Sequence, residues 1–319
     1  MRNLNTIGKY WRKKYGEKVY KIPISISGFT CPNIDGTVAK GGCTFCENDS
    51  FAPNLQKEKK SDFKLHPKIK ENPLLGNQLL QLQAQFDKTK ANLTKKFGAK
   101  KFIVYFQSFT NTYAPIETLK VLYEKALSFD DVVGLSIGTR TDSITEEILD
   151  YLVELQNQDK EIWVEYGIQS AYDEILEKIN RGHDFANIKE WILKTKEKGL
   201  LVCGHMIFGL PDETQEMMID SVKQSVALGI DSIKFHPLYV VKNTILTKDF
   251  NEGKFIPISE ELYIDTLVKS IQLLPEDVSI SRVTAGIHND SLLAPMWCTN
   301  KHQQMYNIKK ALLKVDLYY

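Results

Sequence analysis

From residue 101 onward, short apolar runs rich in β-branched residues alternate with amphipathic stretches, and few folds accept that rhythm. The runs are 101–107 (KFIVYFQ), 132–138 (VVGLSIG), 161–168 (EIWVEYGI), 200–208 (LLVCGHMIF) and 231–236 (DSIKFH), with an earlier one at 20–27 (YKIPISIS). Between them, apolar residues recur at helical spacing, as in Ile144, Ile148, Leu149, Leu152 and Leu155. Ser143 or Thr145 can cap that helix, and Glu146 and Glu147 suit its first turn. Another helix is predicted over 214–228, entered from Gly209-Leu210-Pro211-Asp212. Short strands separated by helices imply βαβ units and a parallel sheet, which here means an incomplete α/β barrel or a doubly wound sheet.

The flanking regions read differently. Residues 29–73 are polar and lysine-rich and contain Pro32, Pro53, Pro67 and Pro73, so most of this stretch is expected to be a long functional loop. A lysine-rich amphipathic helix is predicted over 74–97. Beyond Pro237 the pattern weakens: an excursion at 238–258, a helix near 259–274, a strand near 278–283 and a helix near 301–313. The expected division is a core at 1–237 and a C-terminal α+β extension at 238–319.

The 319 residues are 43% apolar and 25% charged, which excludes a disordered, collagen-like or disulfide-scaffold chain. No apolar run approaches the roughly 18 residues of a membrane helix, and the start lacks a signal-peptide apolar stretch. A cytoplasmic protein with no membrane partner is therefore expected. There, five cysteines point to metal binding or catalysis before disulfides. The formal net charge of +1 hides an uneven split. Residues 1–101 carry 20 Lys/Arg against 8 Asp/Glu, whereas 102–319 carry 21 against 32. A basic segment of that size suits an anionic partner or a solvated face.

Three cysteines cluster in Cys31-Pro32-Asn33-Ile34-Asp35-Gly36, then Thr37-Val38-Ala39-Lys40-Gly41-Gly42-Cys43-Thr44-Phe45-Cys46, directly after the first candidate strand. Three thiolates from one loop can hold three irons of a [4Fe–4S] cluster and leave the fourth open. Glycines 36, 41 and 42 let such a loop wrap its ligand. A structural zinc site is the rival reading; it needs a fourth ligand, for which His66 is the nearest later candidate.

The loop resembles the cluster-binding loop of radical S-adenosylmethionine (SAM) enzymes, in the bacterial branch with C-P-N-x-D-G-x4-G-G-C-x-F-C. That branch is related to the elongator catalytic-subunit radical SAM proteins. Further blocks carry the resemblance: 107–113 (QSFTNTY), Gly138-Thr139-Arg140, 165–170 (EYGIQS), Arg181-Gly182-His183, 209–214 (GLPDET) and His236-Pro237-Leu238. Two features depart from relatives: eleven residues separate the first two cysteines where most of the superfamily has three, and Thr141 stands where proline is common.

The resemblance implies a (βα)6 partial TIM barrel with cluster and SAM at its open top. It implies that Cys31, Cys43 and Cys46 hold the cluster, whose electron cleaves SAM to methionine and a 5′-deoxyadenosyl radical that abstracts hydrogen from the substrate. Position and side-chain type then suggest roles. Gln107 and Ser108 would meet the SAM amino group, Arg140 or Arg181 its carboxylate, and Glu165 and Gln169 the ribose. Gly209 and Leu210 would edge the adenine, and Phe45 would shield the site from water. The alternative reading of Arg140, Glu165 and Arg181 is as structural ion pairs on the barrel rim. Cys203 and Cys298 read as packed thiols; His205, His236, Tyr113 and Tyr239 fall near strand ends without a distinguishing spacing.

For the substrate, the resemblance favours a tRNA wobble uridine or its side chain. Basic residues at 9–21 and 57–70 would dock the RNA backbone, and Tyr10, Trp11, Tyr15, Phe51 and Phe63 would stack on bases. No acetyltransferase region of the elongator type is legible, so acetyl transfer is not expected. The alternatives are a radical enzyme acting on a small molecule or protein and a zinc-binding interaction module. An electron donor such as flavodoxin or ferredoxin is expected as a partner.

Overall fold

The structure, a computed structural model, describes residues 2–47, 63–285 and 290–319. Its centre is a curled sheet of seven strands, all parallel and hydrogen-bonded in sequence order. Helix α1 (Ile7–Tyr15) precedes β1 (Val19–Ile24); α2 (Leu75–Phe97) leads to β2 (Lys101–Phe106) and α3 (Ile116–Leu127) to β3 (Val132–Thr139). Then follow α4 (Glu146–Gln156), β4 (Glu161–Gln169), α5 (Phe185–Glu197), β5 (Leu201–Phe208), α6 (Gln215–Ala227) and β6 (Ser232–Pro237). Helix α7 (Glu260–Gln272) and β7 (Ser279–Arg282) complete the sheet, and α8 (Lys301–Leu313) packs beside α7.

The architecture is the incomplete barrel, one of the two arrangements that the strand–helix alternation allowed and the one that the resemblance implies. Thr145 caps α4, accepting from the Ile148 amide, and Thr214 caps α6 in the same way. The main difference lies at the end of the chain. The strand expected in the extension, β7, pairs in parallel with β6 at Ser232–Ser279 and Ile233–Ile280, adding a seventh strand to the barrel sheet. Periodicity shows that this run is a strand but cannot show which edge it joins. The excursion contains the two-residue strand Val240–Val241, paired antiparallel with Leu292–Ala294, and the short helix Ile245–Asn251.

Alternation along each strand sorts the side chains. On β4, Ile162, Val164, Tyr166 and Ile168 face the helices and are fully buried in the principal core. The other set, Glu161, Trp163, Glu165, Gly167 and Gln169, faces the barrel interior. Helix α1 closes the interior at the end where the strands begin: Trp11 packs with Val19, Ile103, Trp163 and Cys203. The indoles of Trp11 and Trp163 donate to Glu161 at 2.6 and 2.5 Å, and Tyr15 donates to the same carboxylate at 3.1 Å. Lys14 adds an ion pair to it at 2.7 Å.

This arrangement corrects one expectation. Tyr10, Trp11 and Tyr15 do not offer stacking faces to bases, because they plug the far end of the barrel from the cysteines. The basic residues of 9–21 are likewise at that far end, and Lys21 points into the interior. Sequence proximity had placed this segment beside the cysteine loop, but β1 carries the chain the full length of the barrel between them.

Trp11→Ala should lower the unfolding midpoint in denaturant, at a cost of about 3–5 kcal/mol for a buried indole. A change below about 1 kcal/mol would show that α1 does not hold the barrel closed.

Candidate active site

At the end of the barrel where the strands finish, a cavity of about 690 Å³ opens, lined by residues from every strand of the sheet or the turn after it. Cys31, Cys43 and Cys46 all line it, and none is in a disulfide. Their loop is held by local geometry and by the neighbouring βα turn. Cys31 precedes the single-turn helix Pro32–Asp35, which Gly36 ends at φ 91°. Asn33 is wholly buried and donates to the Asn180 carbonyl, while Asn180 donates to the carbonyls of Lys40 and Gly42 at 3.2 and 2.8 Å. The Thr44 amide donates to the Ile179 carbonyl at 3.0 Å. A non-local clasp thus carries Cys43 over the turn after β4.

Arg181 leaves that turn with Nη2 donating to the Gly167 carbonyl at 2.5 Å and Nη1 3.8 Å from Cys43 Sγ. Arg140 Nη2 donates to the Arg181 carbonyl at 2.7 Å. Its fork is already taken by Asp142, at 2.8 and 2.6 Å. His183 joins Asp142 at 3.0 Å. Burial pushes the Cys46 thiol up to about 12, helped by Cys43 and Cys31.

Below this rim lies a polar layer that period-two alternation brings together. Glu165 is fully buried; its carboxylate accepts from Lys21, Lys234 and Ser136, and from His205 Nε2 at 2.7 Å. Lys234 also donates to the Tyr105 hydroxyl at 3.2 Å. Burial, then the charge of Lys234, pushes His205 down to about 4. Glu165, Cys203 and His205 have ligand atoms within 4.8 Å of one another. Two ammonium groups already occupy the carboxylate, however, so a divalent cation would meet positive charge there.

The suggested SAM residues divide accordingly. Phe45, Gln107, Arg140, Glu165, Gln169 and Arg181 line the cavity. Three others lie away from it. Ser108 is buried with its hydroxyl on Ser25. Gly209 sits at φ 86° beneath Ile258, where a Cβ would come within 2.6 Å of that side chain, and Leu210 is in the core. The 209–214 block turns β5 into α6, with Gly209 and Leu210 outside the cavity lining. Glu165 lines the cavity with both carboxylate oxygens engaged. His205, His236 and Tyr239 line the cavity. Tyr113 donates to Thr37 at 2.9 Å, and Cys203 and Cys298 are buried. The sequence reading missed Lys21, Tyr105, Ser136, Lys234 and Arg282. Their signal was present, as polar residues at every second position of otherwise apolar strands.

Two observations bear on what the rim accepts. Among the described residues, the groups whose ligand atoms lie within 4.8 Å of one another do not include the three cysteines. That spacing is wider than one tetrahedral zinc, with Zn–S bonds of about 2.3 Å, would bridge. His66 does not complete such a set, since it packs edge-on against Tyr113 outside the cavity lining. Several buried polar atoms at the rim have no protein partner: Gln169 Oε1, Arg140 Nη1 and Arg181 Nε. Buried polar groups left open in this way suit a polar ligand, and three thiols at wide spacing suit a multi-iron cluster.

A profile of the radical SAM superfamily matches residues 36–224. The chain belongs to that superfamily. The radical SAM C-terminal domain matches residues 230–314. Protein YhcC of Escherichia coli K12 is 38% identical over 97% of this chain and 92% of its own length. The tRNA uridine(34) acetyltransferase of Methanocaldococcus infernus is 30% identical, over 49% of this chain and 28% of its own. The structure of archaeal Methanocaldococcus infernus Elp3 lacking its N-terminus superposes with a TM-score of 0.60 at 20% identity, covering 93% of this chain and 64% of that one. Radical SAM enzymes bind a [4Fe–4S] cluster and SAM, and these are this enzyme's cofactors. Among the described residues no helix is long and apolar enough to cross a membrane.

The interior charges give two expected outcomes. Glu165→Gln leaves two buried ammonium groups uncompensated and should cost about 3–5 kcal/mol in thermal or denaturant unfolding. His205 is held neutral in the fold, so the unfolded chain binds more protons between pH 6.5 and about 4. Its contribution to stability is therefore lost as pH falls through that window. His205→Gln should flatten the melting-temperature profile there, and an unchanged slope would remove His205 as its source.

Proposed function

We propose that this radical SAM enzyme modifies tRNA at the wobble uridine or its side chain. Cys31, Cys43 and Cys46 would hold the cluster, and SAM would occupy the rim beside them. When bound, the cluster supplies the electron that cleaves SAM, and SAM supplies the radical that abstracts hydrogen from the substrate. The protein's own residues bind, orient and exclude water. Gln169 Oε1 offers an acceptor to the ligand, Gln107 lines the same cavity, and Arg181 Nε and Arg140 Nη1 offer donors to its carboxylate. Gly167 keeps the wall clear, since a Cβ there would come within 2.6 Å of Gln169 and 2.9 Å of Arg181. Phe45 packs against the core and covers the rim.

The observation that carries the RNA reading is the likeness, across 49% of the chain, to an enzyme named for tRNA uridine 34. The surface supports it. Lys64, Lys68 and Lys70 are exposed on a segment tied to the barrel by the Leu65 amide and the Gly28 carbonyl. That segment lies against Tyr113, which holds the cysteine loop through Thr37. Lys57, Lys59, Lys60 and Phe51 lie outside the described residues. RNA docking thus rests on 63–70, which packs on Tyr113 beside the cysteine loop, and not on 9–21.

Anaerobically reconstituted protein should convert SAM to 5′-deoxyadenosine and methionine, and Cys43→Ala should abolish both bound iron and this cleavage. Mass spectrometry of tRNA nucleosides from a deletion strain should reveal an accumulated precursor. Purified protein should bind tRNA, with affinity falling steeply as salt rises. An unchanged nucleoside profile would favour a small-molecule or protein substrate.

A further inference from the structure

Positive charge collects at the floor of the cavity without a matching acid. Lys21 and Lys234 share the single carboxylate of Glu165. Arg282, at the end of β7, lines the same cavity, and its Nη1 donates to His236 Nε2 at 3.2 Å. Among the described residues no carboxylate lies within ion-pair reach of that guanidinium. Glu165 is the one acid in the cavity lining, against Lys234, Arg282 and, at the mouth, Lys301; the two rim arginines serve Asp142 and the thiols. His205 and His236 are both held neutral, by burial and by these same cations. Neither histidine adds charge, and each leaves a ring nitrogen for hydrogen bonding. The phenol of Tyr105, on which Lys234 rests, faces the same space.

Arg282 is part-buried with no acidic partner beside it among the described residues, and Lys234 shares Glu165 with Lys21, so this wall carries an excess of positive charge that an entering anion would offset. The layer cannot serve a metal, for the reason given above, and it lies at the opposite wall from the cysteines: the cysteine loop follows β1, the first strand of the sheet, and Arg282 ends the last.

We propose that Arg282 and Lys234 form an anion-recognition site at the cavity floor that takes a carboxylate or phosphate group of the substrate. It rests on reading the cavity as the reaction chamber, and it does not require the substrate to be RNA. The guanidinium provides a planar fork for two oxygens and Lys234 a point charge, while His236 and Tyr105 contribute hydrogen bonds. The group anchored there is compact, because Glu165 and Lys234 leave little exposed area around it. Anchored at the floor, the neighbouring atoms of the substrate are directed up toward the rim, where the radical forms. Arg282 and Lys234 are in this sense positioning and specificity residues.

The test is anaerobic titration calorimetry of the cluster-loaded enzyme, saturated with SAM, using malonate, inorganic phosphate and neutral malonamide as probes. One of the two anions should bind at low salt and malonamide should not; which anion binds assigns the substrate group as carboxylate or phosphate. Arg282→Gln should weaken that binding tenfold or more with an unchanged circular dichroism spectrum. Should Arg282→Gln not fold, Arg282→Lys carries the same test: it keeps the charge but loses the fork, and should weaken binding severalfold. Equal affinity in the folded variant, binding of malonamide as tight as that of the anions, or an anion that competes with SAM would each overturn the proposal. Anion binding that depends on Arg282, together with an unchanged tRNA nucleoside profile, would reject the RNA reading and leave this site standing.

Discussion

Glu165 reaches the centre of the half-barrel because β4 alternates, and the charge it brings must be neutralised where water cannot do so. Lys21 arrives from β1, Lys234 from β6 and His205 from β5, so one carboxylate ties together strands that are not neighbours. Hydrogen bonds between adjacent strands set the register of the sheet. The ion network fixes how far it curls, because its members meet only when the first and sixth strands approach across the interior. Above this layer the space belongs to ligands; below it, Trp11, Trp163 and Glu161 close the barrel.

The rim is built differently. Beside the Arg140–Asp142 ion pair, its contacts run to backbone carbonyls: Asn33 to Asn180, Asn180 to Gly42, Arg181 to Gly167 and Arg140 to Arg181. They hold a loop with almost no regular structure against the turn after β4, and they leave chosen polar atoms open. A rigid floor and a clasped rim suit an enzyme that must exclude water from a reactive intermediate.

The strand–helix alternation was readable over most of the chain, and of the two cap candidates, Ser143 and Thr145, the structure uses Thr145. The cysteine loop was readable because its spacing and glycines are local. Ser108, Gly209 and Leu210 lie outside the cavity lining; position after a strand does not reveal which way a turn points. Tyr10, Trp11 and Tyr15 were misjudged because aromatic residues among lysines look alike whether they stack on bases or plug a barrel.

By itself, the sequence determined which segments are strands, where the thiols lie and how its charges divide along the chain, since these follow from short-range pattern and composition. Only the tertiary structure decided that β7 joins the barrel sheet and that α1 sits at the far end from the cysteines. It also decided that Lys21, Glu165, His205, Lys234 and Arg282 share one interior. Those outcomes depend on contacts between residues far apart in the chain, as in Lys21 and Glu165, 144 positions apart. No local propensity encodes such contacts, because they exist only once the sheet has curled.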